Sequence, residues 1–310
     1  MRNASTQVVY NLVQEDPNVM ALTADNRNDI YDKIRKEYPD QYIDYGISEA
    51  NMIASAAGLA ACGKIPFLYT ITNFMSMRAF EFIRNDVCIP NQNVKFLGRS
   101  SGLVSSSMGP THQGTEELAL LRCLPNLLVF SPSTPIEARQ MTVEAYKHAG
   151  PIYIRLEGYN EPELYEDDFQ FTIGKGVVVR NGDDIAVFAM GSIINEVLQV
   201  AEQFAKQFNI QLRVIDMPMV KPIDTKLILQ AMEDTTGIIT IEEHSLYGGL
   251  GSAVAEVMAE NCSRIPLYRL GLNGCAHGCG NRQEMRDING IGKQNINEAV
   301  WQILKKEGGV

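Results

Sequence analysis

The run Ser48-Glu49-Ala50-Asn51-Met52-Ile53-Ala54-Ser55-Ala56-Ala57-Gly58-Leu59-Ala60-Ala61-Cys62, and after it Pro66-Phe67-Leu68-Tyr69-Thr70-Ile71, decides the fold class. The first run has helical periodicity and is crowded with Ala and Gly, which lets another helix approach closely. The second is a short apolar run of the kind that crosses a sheet buried on both faces. Working outward, the alternation recurs. Upstream, 4–14 reads as helix and 19–23 as strand. Downstream, helices over 77–88, 114–123 and 135–148 alternate with strands over 94–98, 127–131 and 152–155. Strands regularly separated by helices imply βαβ units, and so a mainly parallel sheet with helices on both faces.

The acidic, proline-containing run Gly158-Tyr159-Asn160-Glu161-Pro162-Glu163-Leu164-Tyr165-Glu166-Asp167-Asp168 breaks this pattern. Beyond it the alternation resumes, with strands over 185–189, 212–216, 238–242 and 267–270 and helices over 196–208, 225–233, 251–260 and 295–305. The chain is therefore expected to hold two α/β domains, 1–160 and 173–310, joined by a linker at 161–172. The halves share a fold class but no obvious sequence repeat.

With 310 residues and a net charge of −10, the chain has no basic run, which disfavours nucleic acid or a membrane surface as partner. The polar start Met1-Arg2-Asn3-Ala4-Ser5-Thr6-Gln7 lacks the apolar core of a signal peptide, and no apolar run is long enough to span a bilayer. Six cysteines scattered through apolar segments point to reduced, mostly buried thiols in a cytoplasmic protein.

Three motifs carry chemistry. Ser48 stands where an N-cap belongs, and Glu49 follows in the first helical turn, near the positive end of the dipole. Taken alone, that is a well-capped core helix. Farther on come Gly109-Pro110-Thr111-His112-Gln113-Gly114 and Leu121-Arg122-Cys123-Leu124-Pro125-Asn126, then Glu242-Glu243-His244 and Gly248-Gly249-Leu250-Gly251-Ser252. In this order the segments resemble the transketolase family: its glutamate helix, its Thr-His-Gln loop and the turn and helix of its C-terminal domain. The resemblance covers nearly the whole chain. It implies a thiamine-diphosphate pyrimidine-binding fold followed by a transketolase C-terminal domain, and transfer of a two-carbon ketol unit from a ketose to an aldehyde.

The resemblance also implies site residues. In that family a glutamate hydrogen-bonds N1′ of the aminopyrimidine of thiamine diphosphate and helps the cofactor lose its C2 proton. Such a glutamate must be mostly protonated or share its proton, which calls for a desolvated site; Glu49 fills this role. Phe74 and Ile71 form the apolar slot for the pyrimidine, with Ile71 where the family usually has Phe, and Asp25 joins them at the cofactor. As a plain sequence feature, Phe74 would be a core residue after a strand. His112, in a Gly/Pro/Thr loop, contacts the reacting oxygens of the sugar and moves protons. Arg2 matches a phosphate-contacting arginine.

Two positions depart from the family. Met108 stands four residues before His112, where an Asp usually reads a sugar hydroxyl, and Gly158 falls where a second phosphate-binding arginine is expected, with Arg155 nearby but out of register. At least one substrate is thus expected not to be a simple sugar phosphate. Gly248-Gly249-Leu250-Gly251 invites a nucleotide-binding reading, but it lacks the third glycine of the dinucleotide fingerprint and any P-loop lysine, and close packing fits better. Cys275, His277 and Cys279 have no fourth ligand at zinc spacing, so an irregular loop is expected.

The family's Gly-Asp-Gly motif, which holds Mg²⁺ and the diphosphate, does not occur in the sequence. No metal ligand is assigned to this chain. The implied partner is an N-terminal transketolase subunit carrying Gly-Asp-Gly, in an α2β2 heterotetramer. Two other readings stay open: a β-subunit of a 2-oxoacid dehydrogenase E1 or a deoxyxylulose-phosphate-synthase-like enzyme, and a regulatory or scaffold subunit without catalysis.

Overall fold

All five residues of strand β1 (Val19–Thr23) are buried, as a strand covered on both faces requires. In the computed structural model, which describes residues 1–26, 28–158 and 161–307, β1 pairs in parallel with β2 (Tyr42–Asp44) and β3 (Ile65–Ile71). The sheet continues through β4 (Lys95–Arg99) and β6 (Ile152–Leu156) to β5 (Leu128–Phe130), so that β5-β6-β4-β3-β1-β2 run parallel. Helices α1 (Arg2–Glu15), α2 (Asp29–Glu37), α3 (Glu49–Ala61) and the short α4 (Phe80–Phe82) precede α5 (Glu117–Arg122) and α6 (Pro135–Lys147). Thr134 caps α6, its side chain accepting from the Glu137 amide, with Pro135 in the first turn.

The second sheet runs β12-β11-β8-β9-β7, built from β7 (Val177–Arg180), β8 (Ile185–Met190), β9 (Leu212–Asp216), β11 (Gly237–Ser245) and β12 (Leu267–Leu272), with a short β10 (Met219–Lys221) between β9 and β11 in the chain. All its pairings are parallel except that of the edge strand β7 with β9. Its helices are α7 (Ile194–Phe208), α8 (Thr225–Asp234), α9 (Leu250–Glu260), α10 (Arg282–Ile288) and α11 (Lys293–Glu307). Both halves are thus α/β, each with a mainly parallel sheet flanked by helices.

By contact the chain forms two compact units, one of Met1–Ser101 with Leu120–Phe171, the other of Gly102–Ala119 with Thr172–Val310. The span 1–160 expected for the first domain therefore contains a loop that packs within the second unit. Most of the expected linker packs on the first unit: Phe171 meets the Phe130 ring edge-on at 5.3 Å, and Glu163 accepts from the Ile136 amide at 3.1 Å. Tyr159 and Asn160, at the start of the acidic run, lie outside the described residues.

Three expectations are corrected. The helix expected over 77–88 is broken into π-helical turns, Phe74–Arg78 and Ile83–Cys88, on either side of α4. Ser48 sits at the N-cap position of α3 but makes no side-chain cap bond. Of the six cysteines only Cys88 is buried; the rest are exposed, because they fall at helix ends and in turns.

Candidate active site

In parallel α/β sheets, functional groups gather at the carboxyl ends of the strands. Here Asp25 follows β1, Glu49 opens the helix after β2, and Ile71 ends β3 with Phe74 just beyond. Asp25 has a left-handed backbone (φ 52°), and its amide donates to Asp44 Oδ1 at 3.0 Å. The Glu49 carboxylate is 1% exposed, and Arg78 Nη1 reaches its Oε2 at 2.9 Å. The Arg78 guanidinium also lies over the Phe74 ring, 4.9 Å from its centre. Phe74 and Ile71 are both half-buried, so Phe74 is not a core residue. A π-helical turn holds both Phe74 and Arg78, a local geometry often found at functional sites. The approach of Arg78 to Glu49 was not legible in the sequence because it depends on that turn, which has no residue signature.

Arg2, in the first turn of α1, is 4% exposed. Burial pushes its guanidinium below the ordinary arginine range, while the nearby Tyr69 hydroxyl pulls the other way. Arg155 is fully buried and pairs with Glu157 at 3.2 Å. Neither arginine presents a solvent-facing charge to a phosphate.

The Thr-His-Gln loop folds as two short 3-10 turns, Ser106–Met108 and Pro110–His112, separated by Gly109 at φ 77°. Met108 is 58% exposed at the tip. His112 is half-buried, with its Nδ1 2.9 Å from Thr111 Oγ1. After the turns, Gln113, Thr115 and Glu117 are buried.

The end of β11 supports this loop. Successive strand residues face opposite sides, so Glu242 and His244 face one way and Glu243 the other. Glu242 accepts from the Leu250 and Gly251 amides, each at 2.7 Å. Its own carboxylate thus fills the amino end of α9, where a nucleotide phosphate would sit. A Cβ on Gly249 would come 2.1 Å from Glu242 Oε2, so this glycine serves close packing.

Sequence comparison matches residues 1–160 to the transketolase pyrimidine binding domain and residues 174–296 to the transketolase C-terminal domain. The chain belongs to the transketolase family. Among its transketolase relatives, a subunit of the apulose-4-phosphate transketolase of Actinobacillus succinogenes is 37% identical, over 84% of each chain. A 6-deoxy-6-sulfo-D-fructose transketolase subunit of a Clostridium species is 32% identical, over 99% of this chain and 95% of that one. Among solved structures, a split-gene transketolase described as an inactive β4 tetramer superposes with a TM-score of 0.87 at 36% identity, covering 98% of this chain and 97% of the other. The match thus extends over whole transketolase subunits of this length.

Proposed function

We propose that this chain is the pyrimidine-binding subunit of a two-chain transketolase that moves a two-carbon ketol unit from a ketose to an aldehyde. The observation that carries the reading is the buried Glu49 carboxylate paired with Arg78, whose guanidinium lies over the half-buried Phe74, with half-buried Ile71 at the carboxyl end of β3. These residues fit thiamine diphosphate, whose aminopyrimidine needs a desolvated carboxylate at N1′ and an apolar slot for its ring. When bound, the cofactor supplies the nucleophilic carbon that carries the two-carbon unit. Glu49 would hold the proton at N1′, Phe74 and Ile71 would orient the ring with Asp25 nearby, and His112 would hold and move protons at the sugar oxygens. Mg²⁺ and the diphosphate would be held by a partner chain with the Gly-Asp-Gly motif, in an α2β2 assembly. Names of relatives as transketolase subunits support the two-chain reading. Among the described residues no helix is long and apolar enough to cross a membrane. A cytoplasmic location completes the reading.

The substrate is proposed to include a sugar other than a simple phosphorylated ketose. Met108 at the loop tip and the enclosure of Arg2 and Arg155 support this, as does the relative named for a sulfonated fructose. The test is reconstitution with such a partner chain, comparing wild type with Glu49→Gln. Wild type should transfer the ketol unit. Glu49→Gln should assemble normally but lose at least about 10²-fold in turnover, the scale for removing an acid–base group. Turnover within a few fold of wild type would leave Glu49 as a helix-end residue only. In the same complex, a strong kcat/KM preference for xylulose 5-phosphate over unphosphorylated ketoses would sink the substrate proposal.

A further inference from the structure

The loop bearing His112 is fastened at both ends to three adjacent residues of β11. At its start, the Gly102 amide donates to the Gly114 carbonyl at 2.6 Å, closing the loop on itself. The next amide, that of Leu103, donates to Glu243 Oε2 at 2.9 Å. Gly102 has φ 63°, and a Cβ there would lie 2.4 Å from that same carboxylate oxygen, so the fit requires glycine. At the far end, the Ser245 amide donates to the Thr115 carbonyl at 2.7 Å. The Ala119 amide donates to His244 Nε2 at 3.3 Å, which places the imidazole proton on Nδ1, 2.9 Å from the Ser245 carbonyl.

Glu243 is itself held on its other side. Arg282 donates to both carboxylate oxygens, at 2.8 and 2.9 Å, and Arg286 Nε donates to Oε1. Arg286 is fixed in turn by Glu196 and by Ser192 Oγ at 3.1 Å. Both arginines lie on α10, whose first turn is secured by a capping box between Asn281 and Glu284. Burial pushes the Glu243 carboxyl up, but the two guanidiniums and the Leu103 amide outweigh it and keep the group ionised. A carboxylate bound by three donors from α10 is a rigid anchor, and it also accepts from a loop amide. A group needed only for packing would not require a paired charge at this position.

We propose that Glu243, fixed by Arg282 and Arg286, is a positioning residue that sets the Gly102–Ala119 loop and, through it, the placement of His112 and Met108 against substrate. This rests on the transketolase reading for its catalytic consequence, but not for the clamp itself. Two measurements keep the two apart. Hydrogen exchange on the full-length isolated chain compares wild type with Glu243→Gln, which places an amide NH₂ where a carboxylate oxygen accepts from two donors. The amides of 103–119 should exchange at least about tenfold faster in the variant, with the first sheet unaffected. In the reconstituted complex, the KM for the ketose should rise by at least about threefold, while the thiamine diphosphate concentration for half-activation stays within about twofold. Should Glu243→Gln fail to fold, Arg282→Met, which leaves Arg286 on Glu243, carries the same measurements. Loop exchange unchanged in a folded variant overturns the clamp. Faster exchange with unchanged KM overturns the positioning role. A wild-type complex without ketol transfer overturns the transketolase reading, and the exchange data then decide the clamp alone.

Discussion

A lysine with no exposure to water opens strand β4. Lys95 Nζ donates to the His148 carbonyl at 2.7 Å and the Gly150 carbonyl at 2.5 Å, with no carboxylate bonded to it among the described residues, and burial lowers its pKa to about 7. The sign follows from linkage. The group's ordinary value is 10.5, so between pH 7 and 10.5 the unfolded chain binds a proton that the folded chain does not. Stability therefore rises with pH across that window, and the full cost of burying the charge is present below pH 7. His148, also lowered, first by burial and then by Lys95, titrates below the window. The stability advantage of wild type over Lys95→Met should grow by about 2–3 kcal/mol from pH 7 to pH 9, read from urea titrations. A constant difference would show that Lys95 stays charged throughout. Nothing in the sequence flagged this residue, since Val94-Lys95-Phe96-Leu97-Gly98 reads as an ordinary buried strand. Glu49 and His112 stood out in the sequence because their local motifs are distinctive. The contacts of Arg78 and Glu243 were not legible there, because Arg78 reaches Glu49 from a π-helical turn, and Glu243 draws its partners from Leu103, 140 positions away, and from the arginines of α10.

Among the elements, the long periodic ones were readable and the short ones were not. Helices α1, α3, α6 and α7 and the central strands fall within a few residues of expectation, since burial on a consistent face leaves a clear period. Strands β2, β7 and β10, of three or four residues each, and helices α2 and α10 were missed. β2 has only three residues, and α10 follows a glycine-rich stretch that reads as loop. The cost of missing α10 was larger than its length, because it supplies both arginines on Glu243. Capping separates the starts of α6 and α3. Thr134 accepts from the Glu137 amide, so Thr134→Ala should cost about 1 kcal/mol, the usual value for a lost N-cap. Ser48 makes no such bond, so Ser48→Ala should cost less than about 0.5 kcal/mol. Thermal or urea unfolding of both variants checks the pair. Equal losses would mean that Ser48 caps α3 in solution.

At the scale of the whole molecule, the alternation made the two α/β halves plain, and by contact the loop Gly102–Ala119 groups with the second unit, which chain order alone does not announce. The same scale holds the test of assembly. Helix α3 buries Met52, Ile53, Ala56 and Ala57 against its own unit and leaves Asn51, Gly58, Ala61 and Cys62 exposed. A Cβ on Gly58 would meet nothing within 4 Å, and its backbone is ordinary helix, so a larger side chain fits the isolated chain without strain. Leucine is the better helix former by roughly 0.8 kcal/mol. Gly58→Leu should therefore leave the isolated chain folded and at least as stable as wild type. If the small-residue face meets another chain in the proposed two-chain enzyme, the added side chain has to be accommodated in a close-packed contact, which overpacks it. Association with the Gly-Asp-Gly partner should then weaken by at least about tenfold, as a penalty of about 1.4 kcal/mol or more requires. Analytical ultracentrifugation of the isolated variant, together with titration against the partner, measures both effects. A variant that binds the partner as wild type does would place the interface on another face, and a variant that unfolds alone would show that Gly58 already packs within its own unit.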